Sequence, residues 1–131
     1  MFVGLKCNIA PYLILAGDIG DPNSEIFKEF IKWCHQNWKN IFYVAGNHEY
    51  FGYYKEEAEE KLASALNFKN VYWLKANSET LIDIPNSNYS ICGCTLWSCV
   101  SDDDMSEAQQ YISNYRKIWK NSNKTENTMF G

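Results

Sequence analysis

Gly46-Asn47-His48-Glu49 follows directly on the apolar run Ile41-Phe42-Tyr43-Val44-Ala45, and Gly17-Asp18 follows in the same way on Tyr12-Leu13-Ile14-Leu15-Ala16. An ionised aspartate can bridge two divalent cations with its two oxygens. An asparagine adds a neutral carbonyl oxygen, which leaves more positive charge on a metal and makes it a stronger Lewis acid. A histidine beside such an asparagine is placed to protonate a leaving oxygen or to stabilise charge on a phosphoryl group. A lone histidine after a strand is ordinarily a surface or core residue; what singles out His48 is the pairing of its motif with Gly17-Asp18. The two glycines allow tight turns and close backbone approach where a side chain would obstruct a phosphate. Asp18 and Asn47 are therefore the candidate metal ligands, and His48 is the candidate catalytic group.

These tips need elements that bring them together. Two short continuous apolar runs suit strands buried on both faces, as in a parallel sheet. Between them Phe27, Phe30, Ile31, Cys34 and Trp38 recur at helical spacing, with Asp21 as candidate cap and Pro22 at the first helical position. Residues 12–45 thus read as one βαβ unit with a parallel crossover, and ligands of such sheets bind beyond the carboxyl ends of the strands. Tyr54, Ala58, Leu62, Ala65 and Leu66 predict a second amphipathic helix, and residues 71–74 a third strand. From Thr80 the period shortens, and Leu81, Ile82 and Ile84 followed by residues 89–95 predict a hairpin or meander. Residues 106–119 are expected to form a last helix behind the acidic loop Asp102-Asp103-Asp104, and the polar end NSNKTENTMFG is expected to fray.

Composition narrows the class. A chain of 131 residues, 46% hydrophobic and 16% aromatic, is expected to fold as one domain. A net charge of −4 gives no general attraction to nucleic acid or anionic membrane, so nucleic acid is not an expected partner. No apolar stretch reaches the roughly 18 residues of a membrane span, and the start MFVGLKCNIAPYLILAG lacks signal-peptide order, so the expected location is cytoplasmic. The five cysteines are odd in number and lack CxxC spacing, which argues against a disulfide framework. Cys92, Cys94 and Cys99 together would suit a soft metal, but read better as small buried apolar residues.

GDIGD at 17–21 and GNHE at 46–49 resemble two signature blocks of the calcineurin-like metallophosphoesterases. GCTLWS at 93–98 and NYR at 114–116 look like stretches of the small bacterial-type members, so the resemblance runs from residue 12 to 116. It implies a sandwich of βαβ units with parallel central strands and outer helices, and hydrolysis of phosphate mono- or diesters by a metal-activated water. It also implies two divalent ions of the Mn, Fe or Zn type. Asp18 then matches the metal-bridging aspartate, Asn47 a ligand of the second metal, and His48 the histidine that assists the leaving group. Glu49 and Asp21 match motif positions that read as hydrogen bonding or helix capping. Tyr50, Phe51, Tyr53 and Tyr54 are candidates for a cleft wall or for packing under the loop.

The family's Asp-x-His block and its Gly-His-x-His block have no counterpart here. The only other histidine, His35, sits between lysines on a helix face and is expected to be solvated. A dinuclear centre needs more ligands than Asp18 and Asn47 supply. The chain is therefore expected to be a partial domain of a longer phosphoesterase, inactive alone. The alternative is a non-catalytic scaffold or protein-interaction domain that keeps the fold. A third reading, GDIGDP as a nucleotide-binding turn, ranks below both, because Gly17 and Gly20 do not make GxGxxG and Asp18 and Asp21 repel phosphate.

Overall fold

In a computed structural model, which describes residues 9–76 and 81–119, the sheet that carries both polar tips is three-stranded and parallel. Its strands are β1 (Tyr12–Ala16), β2 (Asn40–Val44) and a later β4 (Val71–Trp73), in the order β1-β2-β4. Ala16 lies level with Val44 in the register, so the β1 and β2 chains leave the sheet side by side. The apolar runs explain the centre: Ile41, Phe42 and Tyr43 are each at most 1% exposed. β1 is covered less, with Leu15 buried and Ile14 60% exposed.

Helix α1 (Glu25–Asn37) joins β1 to β2 and buries Phe27, Ile31 and Cys34 against the sheet, with Phe27 edge-on to Tyr43 at 6.1 Å. Its cap is Ser24, whose Oγ accepts from Phe27 N at 3.2 Å, and not the expected Asp21. Asp21 Oδ1 is already engaged by Asn23 N and by the Tyr53 hydroxyl, both at 2.8 Å, and this turn delays the helix by three residues. His35 also departs from expectation. Its ring stacks on Phe68 at 4.5 Å between centroids and bonds to the Asn70 side chain, so it ties α1 to the loop before β4 and is only partly exposed.

After β2 come a single 3-10 turn (His48–Tyr50), the short strand β3 (Tyr53–Tyr54) and helix α2 (Lys55–Ala65), which buries Ala58, Leu62 and Ala65 as its spacing predicts. The core is formed where α1 and α2 meet the sheet face that presents Leu15, Ile41, Tyr43 and Ala45. The opposite face holds Phe42 stacked on Tyr72 at 5.5 Å, and Tyr12 donates its hydroxyl to Pro85 O at 3.0 Å. The hairpin predicted after Thr80 is present as β5 (Ile82–Asp83) and β6 (Ser90–Ile91), antiparallel, with Asn86 in the left-handed region of its turn.

The last predicted helix is broken. Helix α3 (Met105–Tyr111) ends where Ile112 turns extended, helix α4 (Asn114–Lys117) is one turn, and β7 (Ile118–Trp119) pairs in parallel with β3. Tyr115 and Ile118 are buried by this arrangement, and that burial outweighs the local preference for a continuous helix. Asp102–Asp104 is an exposed 3-10 turn, with Ser101 Oγ donating to Asp104 Oδ2 at 2.7 Å. Cys34 is buried, whereas Cys92 and Cys99 are exposed and Cys94 is part-exposed, so these three are not the buried packing residues expected. Cys7, the start at 1–8 and the polar end at 121–131 lie outside the described residues. Among the described residues no helix is long and apolar enough to cross a membrane.

Two buried phenols give the fold an alkaline limit. Burial, and then the Glu49 carboxylate, pushes the Tyr43 hydroxyl far above the ordinary tyrosine range. Burial, and then the charge of Glu59, pushes Tyr50 up to about 12 from 10.0. The folded chain keeps protons that the unfolded chain releases, so this stability is complete below about pH 10 and is lost as pH rises through about 12. The urea midpoint should fall between pH 9 and pH 11. A midpoint unchanged over that range would contradict the burial of these phenols.

Candidate active site

Both strand ends turn at a glycine, and the two turns touch. Gly17 has φ +91, and a Cβ there would stand 2.9 Å from the Gly46 Cα and N. A Cβ on Gly46 would run into Asp18, 2.5 Å from its backbone N and closer still to Oδ1. Only two glycines let the chains pass at this distance. Gly46→Ala should cost about 3 kcal/mol, as overpacking against a fixed turn does. It should also shift the His48 amide resonance, which reports the bond to Asp18. A variant with wild-type stability and an unshifted His48 amide would show that the contact is looser than this.

Asp18 itself has φ +54, a left-handed conformation that a non-glycine residue adopts only when its surroundings hold it there. Glu49 supplies the hold. It is 0% exposed, and its Oε2 accepts from Asp18 N at 3.0 Å and from Gly46 N at 2.8 Å. Its Oε1 accepts from Ile19 N at 2.6 Å, Gly20 N at 3.4 Å and the Tyr43 hydroxyl at 3.1 Å. One buried carboxylate thus binds the amides of both turns, which satisfies the requirement that a buried charge be fully hydrogen-bonded. The hydrogen-bonding role expected of Glu49 is what the structure contains.

Asp18, Asn47 and His48 are brought together. Asp18 Oδ1 accepts from His48 N at 3.1 Å, and His48 Nδ1 lies 3.9 Å from Asp18 Oδ2 with both side chains about half exposed. The His48 ring rests on Phe51 at 4.5 Å. Asn47 Nδ2 donates to Asn114 Oδ1 at 2.9 Å, and its own Oδ1 accepts nothing among the described residues. Asp18, Asn47 and Asn114 line one open cleft of about 370 Å³ whose far wall is formed by residues 94–97. Asn114 had no assigned role in the sequence, because its partner is 67 positions away. The aromatics after His48 divide: Tyr50 is buried, whereas Tyr53 and Tyr54 form β3.

A dinuclear metal centre, which the family resemblance implies, is the standard this donor set has to meet. One carboxylate and one free amide oxygen are hard donors of the right kind, but among the described residues no group of three or more His, Cys, Asp or Glu side chains converges. Two metals held against water need more than that. The described residues therefore do not amount to such a centre.

A family model for calcineurin-like phosphoesterases matches residues 2–130. The chain belongs to the calcineurin-like phosphoesterase family, and its parallel sheet and outer helices are those of a mixed α/β phosphoesterase fold. It is also similar to "Uncharacterized protein L509" of Acanthamoeba polyphaga mimivirus, 32% identical over 118 residues. That match covers 86% of this chain and 40% of the relative, so the chain spans well under half of the relative's length. No solved structure matches.

Proposed function

We propose that these residues form one half of the site of a metal-dependent phosphoesterase acting on phosphate mono- or diesters, as a partial domain that does not turn over substrate alone. The observation that carries this reading is the convergence of Asp18 Oδ1 and the His48 backbone amide at 3.1 Å from two adjacent parallel strands. The roles follow from the atoms. Asp18 presents its carboxylate to the cleft, Asn114 holds the Asn47 amide so that its oxygen is the unengaged end, and the His48 ring, with Nδ1 3.9 Å from Asp18 Oδ2, is the group that would serve a leaving oxygen. Two divalent ions would supply a nucleophilic hydroxide and charge neutralisation in the complete centre. Their remaining ligands come, on this reading, from polypeptide beyond the described residues.

Manganese titrated into the 131-residue chain tests the reading directly. Paramagnetic broadening should appear first at the amides of Asp18, Ile19, Asn47 and His48, with weak affinity and no hydrolysis of an aryl phosphate. Asp18→Asn should abolish it. Broadening centred elsewhere would refute the assignment, and two tight manganese sites would refute the incomplete ligand count. A metal-free scaffold is the second reading, motivated by the observation that no group of three or more ionisable ligands converges among the described residues, and it predicts no selective broadening at all.

A further inference from the structure

Strand β1 stands at the edge of its sheet with a sequence suited to the interior. Among the described residues its one neighbour is β2, so one side of its main chain is open. Pro11 O accepts from Lys39 N and Asn40 N, and Tyr12 is level with Asn40, which turns the amide and carbonyl groups of Leu13 and Leu15 toward β2. Those of Tyr12, Ile14 and Ala16 point outward, because these groups alternate along a strand. Edge strands are ordinarily blunted by charge, by proline or by a bulge. Here residues 9–17 contain no Lys, Arg, His, Asp or Glu, Pro11 stands before the strand, and β1 pairs with β2 without a bulge.

Three exposed isoleucines surround this edge. Ile14 is 60% exposed on the face where the Tyr12 and Phe42 rings meet, Ile9 is 81% exposed before the strand, and Ile26 is 73% exposed on α1. At the carboxyl end of β1, Ile19, Ile26 and Phe30 border an open hollow of about 400 Å³. Apart from Asp18, its polar groups are already engaged: Ser24 Oγ by Asp21 O and Phe27 N, and Gly20 N by Glu49. Such a hollow suits an aliphatic side chain from a strand laid along the edge.

We propose that a second copy of this chain pairs with β1, antiparallel, about a twofold axis at Ile14. The outward groups set the register. Facing residues of an antiparallel pair exchange both main-chain bonds where both point at the partner strand. Centring on Ile14 therefore bonds Ile14 to Ile14, and Tyr12 to Ala16, of the second copy, and every outward group of β1 is used. The side chains fit too, since the large Tyr12 faces the small Ala16 and the isoleucines meet on the axis. The same run carries Ile9 of one copy toward the carboxyl end of β1 in the other, where the hollow beside Ile26 lies. Charge permits the pairing. Two chains of net charge −4 repel in general, but this edge is uncharged and the two Asp18 carboxylates lie at opposite ends of the joined strands. A twofold contact closes on itself, so association stops at the dimer. None of this rests on the phosphoesterase reading.

Sedimentation and amide exchange of the 131-residue chain provide the test. A reversible monomer–dimer equilibrium is expected. As concentration rises through it, the amides of Tyr12, Ile14 and Ala16 should gain protection, whereas those of Leu13 and Leu15, bonded to β2 in both states, should not change. Ile14→Lys sets two like charges face to face on the axis and should weaken dimerisation about tenfold or more. Ile26→Glu, at an exposed helix position, should weaken it several-fold and carries the test if the strand variant fails to fold. Tyr111→Lys, at an exposed apolar position away from β1, should leave it unchanged. A chain that stays monomeric up to about 1 mM would overturn the proposal. So would association that continues past the dimer, a dimer indifferent to both Ile14→Lys and Ile26→Glu, or one that Tyr111→Lys dissociates.

Discussion

Glu49→Ala should lower the unfolding free energy by about 3–5 kcal/mol, a large share of the 5–15 kcal/mol typical of a domain. Its carboxylate accepts from the amides of Asp18, Ile19, Gly20 and Gly46 and from the Tyr43 hydroxyl. Truncation leaves these donors facing a void at a position that is 0% exposed. Each unsatisfied buried donor costs about 1–3 kcal/mol, and the sum is less than additive because water can enter and the turns can relax. Glu49→Gln should fall between, since the amide keeps one acceptor oxygen and turns an NH₂ group toward backbone N–H donors. The loss should be read from urea denaturation, and the amide resonances of Asp18, Ile19 and Gly46 should move upfield as the carboxylate bond disappears. A Glu49→Ala variant within about 1 kcal/mol of wild type would mean that the two turns hold each other without it.

The second large effect belongs to Asp18. In the protein that carries the complete ligand set, Asp18→Asn should reduce turnover of an aryl phosphate with manganese by more than about 10²-fold. Loss of a group that only orients a metal ligand already costs about 10–100-fold, and a direct ligand should cost more. The substitution keeps the size of the side chain and an oxygen able to accept from His48 N, so stability should stay within about 1 kcal/mol of wild type. Activity lost together with folding would point to a structural role. Activity retained in full would remove Asp18 from the site and the phosphoesterase reading with it.

The pairing of Gly17-Asp18 with Gly46-Asn47-His48 was legible in the sequence because each motif closes a short apolar run. In a parallel βαβ unit two successive strand ends must lie on the same edge. The register of Ala16 against Val44 bears this out. Other expectations failed where a distant partner intervened. Asp21 has the chemistry of a cap, yet the Tyr53 hydroxyl and its own turn take its carboxylate, and Ser24 caps instead. His35 has the flanks of a solvated residue, yet its ring stacks on Phe68 and bonds to Asn70, which leaves it partly covered. Residues 106–119 have helical spacing, yet pairing of Ile118 and Trp119 with Tyr53 and Tyr54 ends the helix early.

Sequence alone determined the local facts: which runs become buried strands, which faces of α1 and α2 are apolar, where glycine must stand, and which side chains are able to bind a metal or move a proton. These depend on residue type and on spacings of two or 3.6 residues, interactions that are close along the chain. Tertiary structure alone decided that Glu49 is the clamp of both turns, that Asn114 orients Asn47, and that Trp97 adjoins the Asp18 cleft. Each of those depends on groups dozens of positions apart, whose meeting is set by how the whole core packs and leaves no periodic mark in the chain.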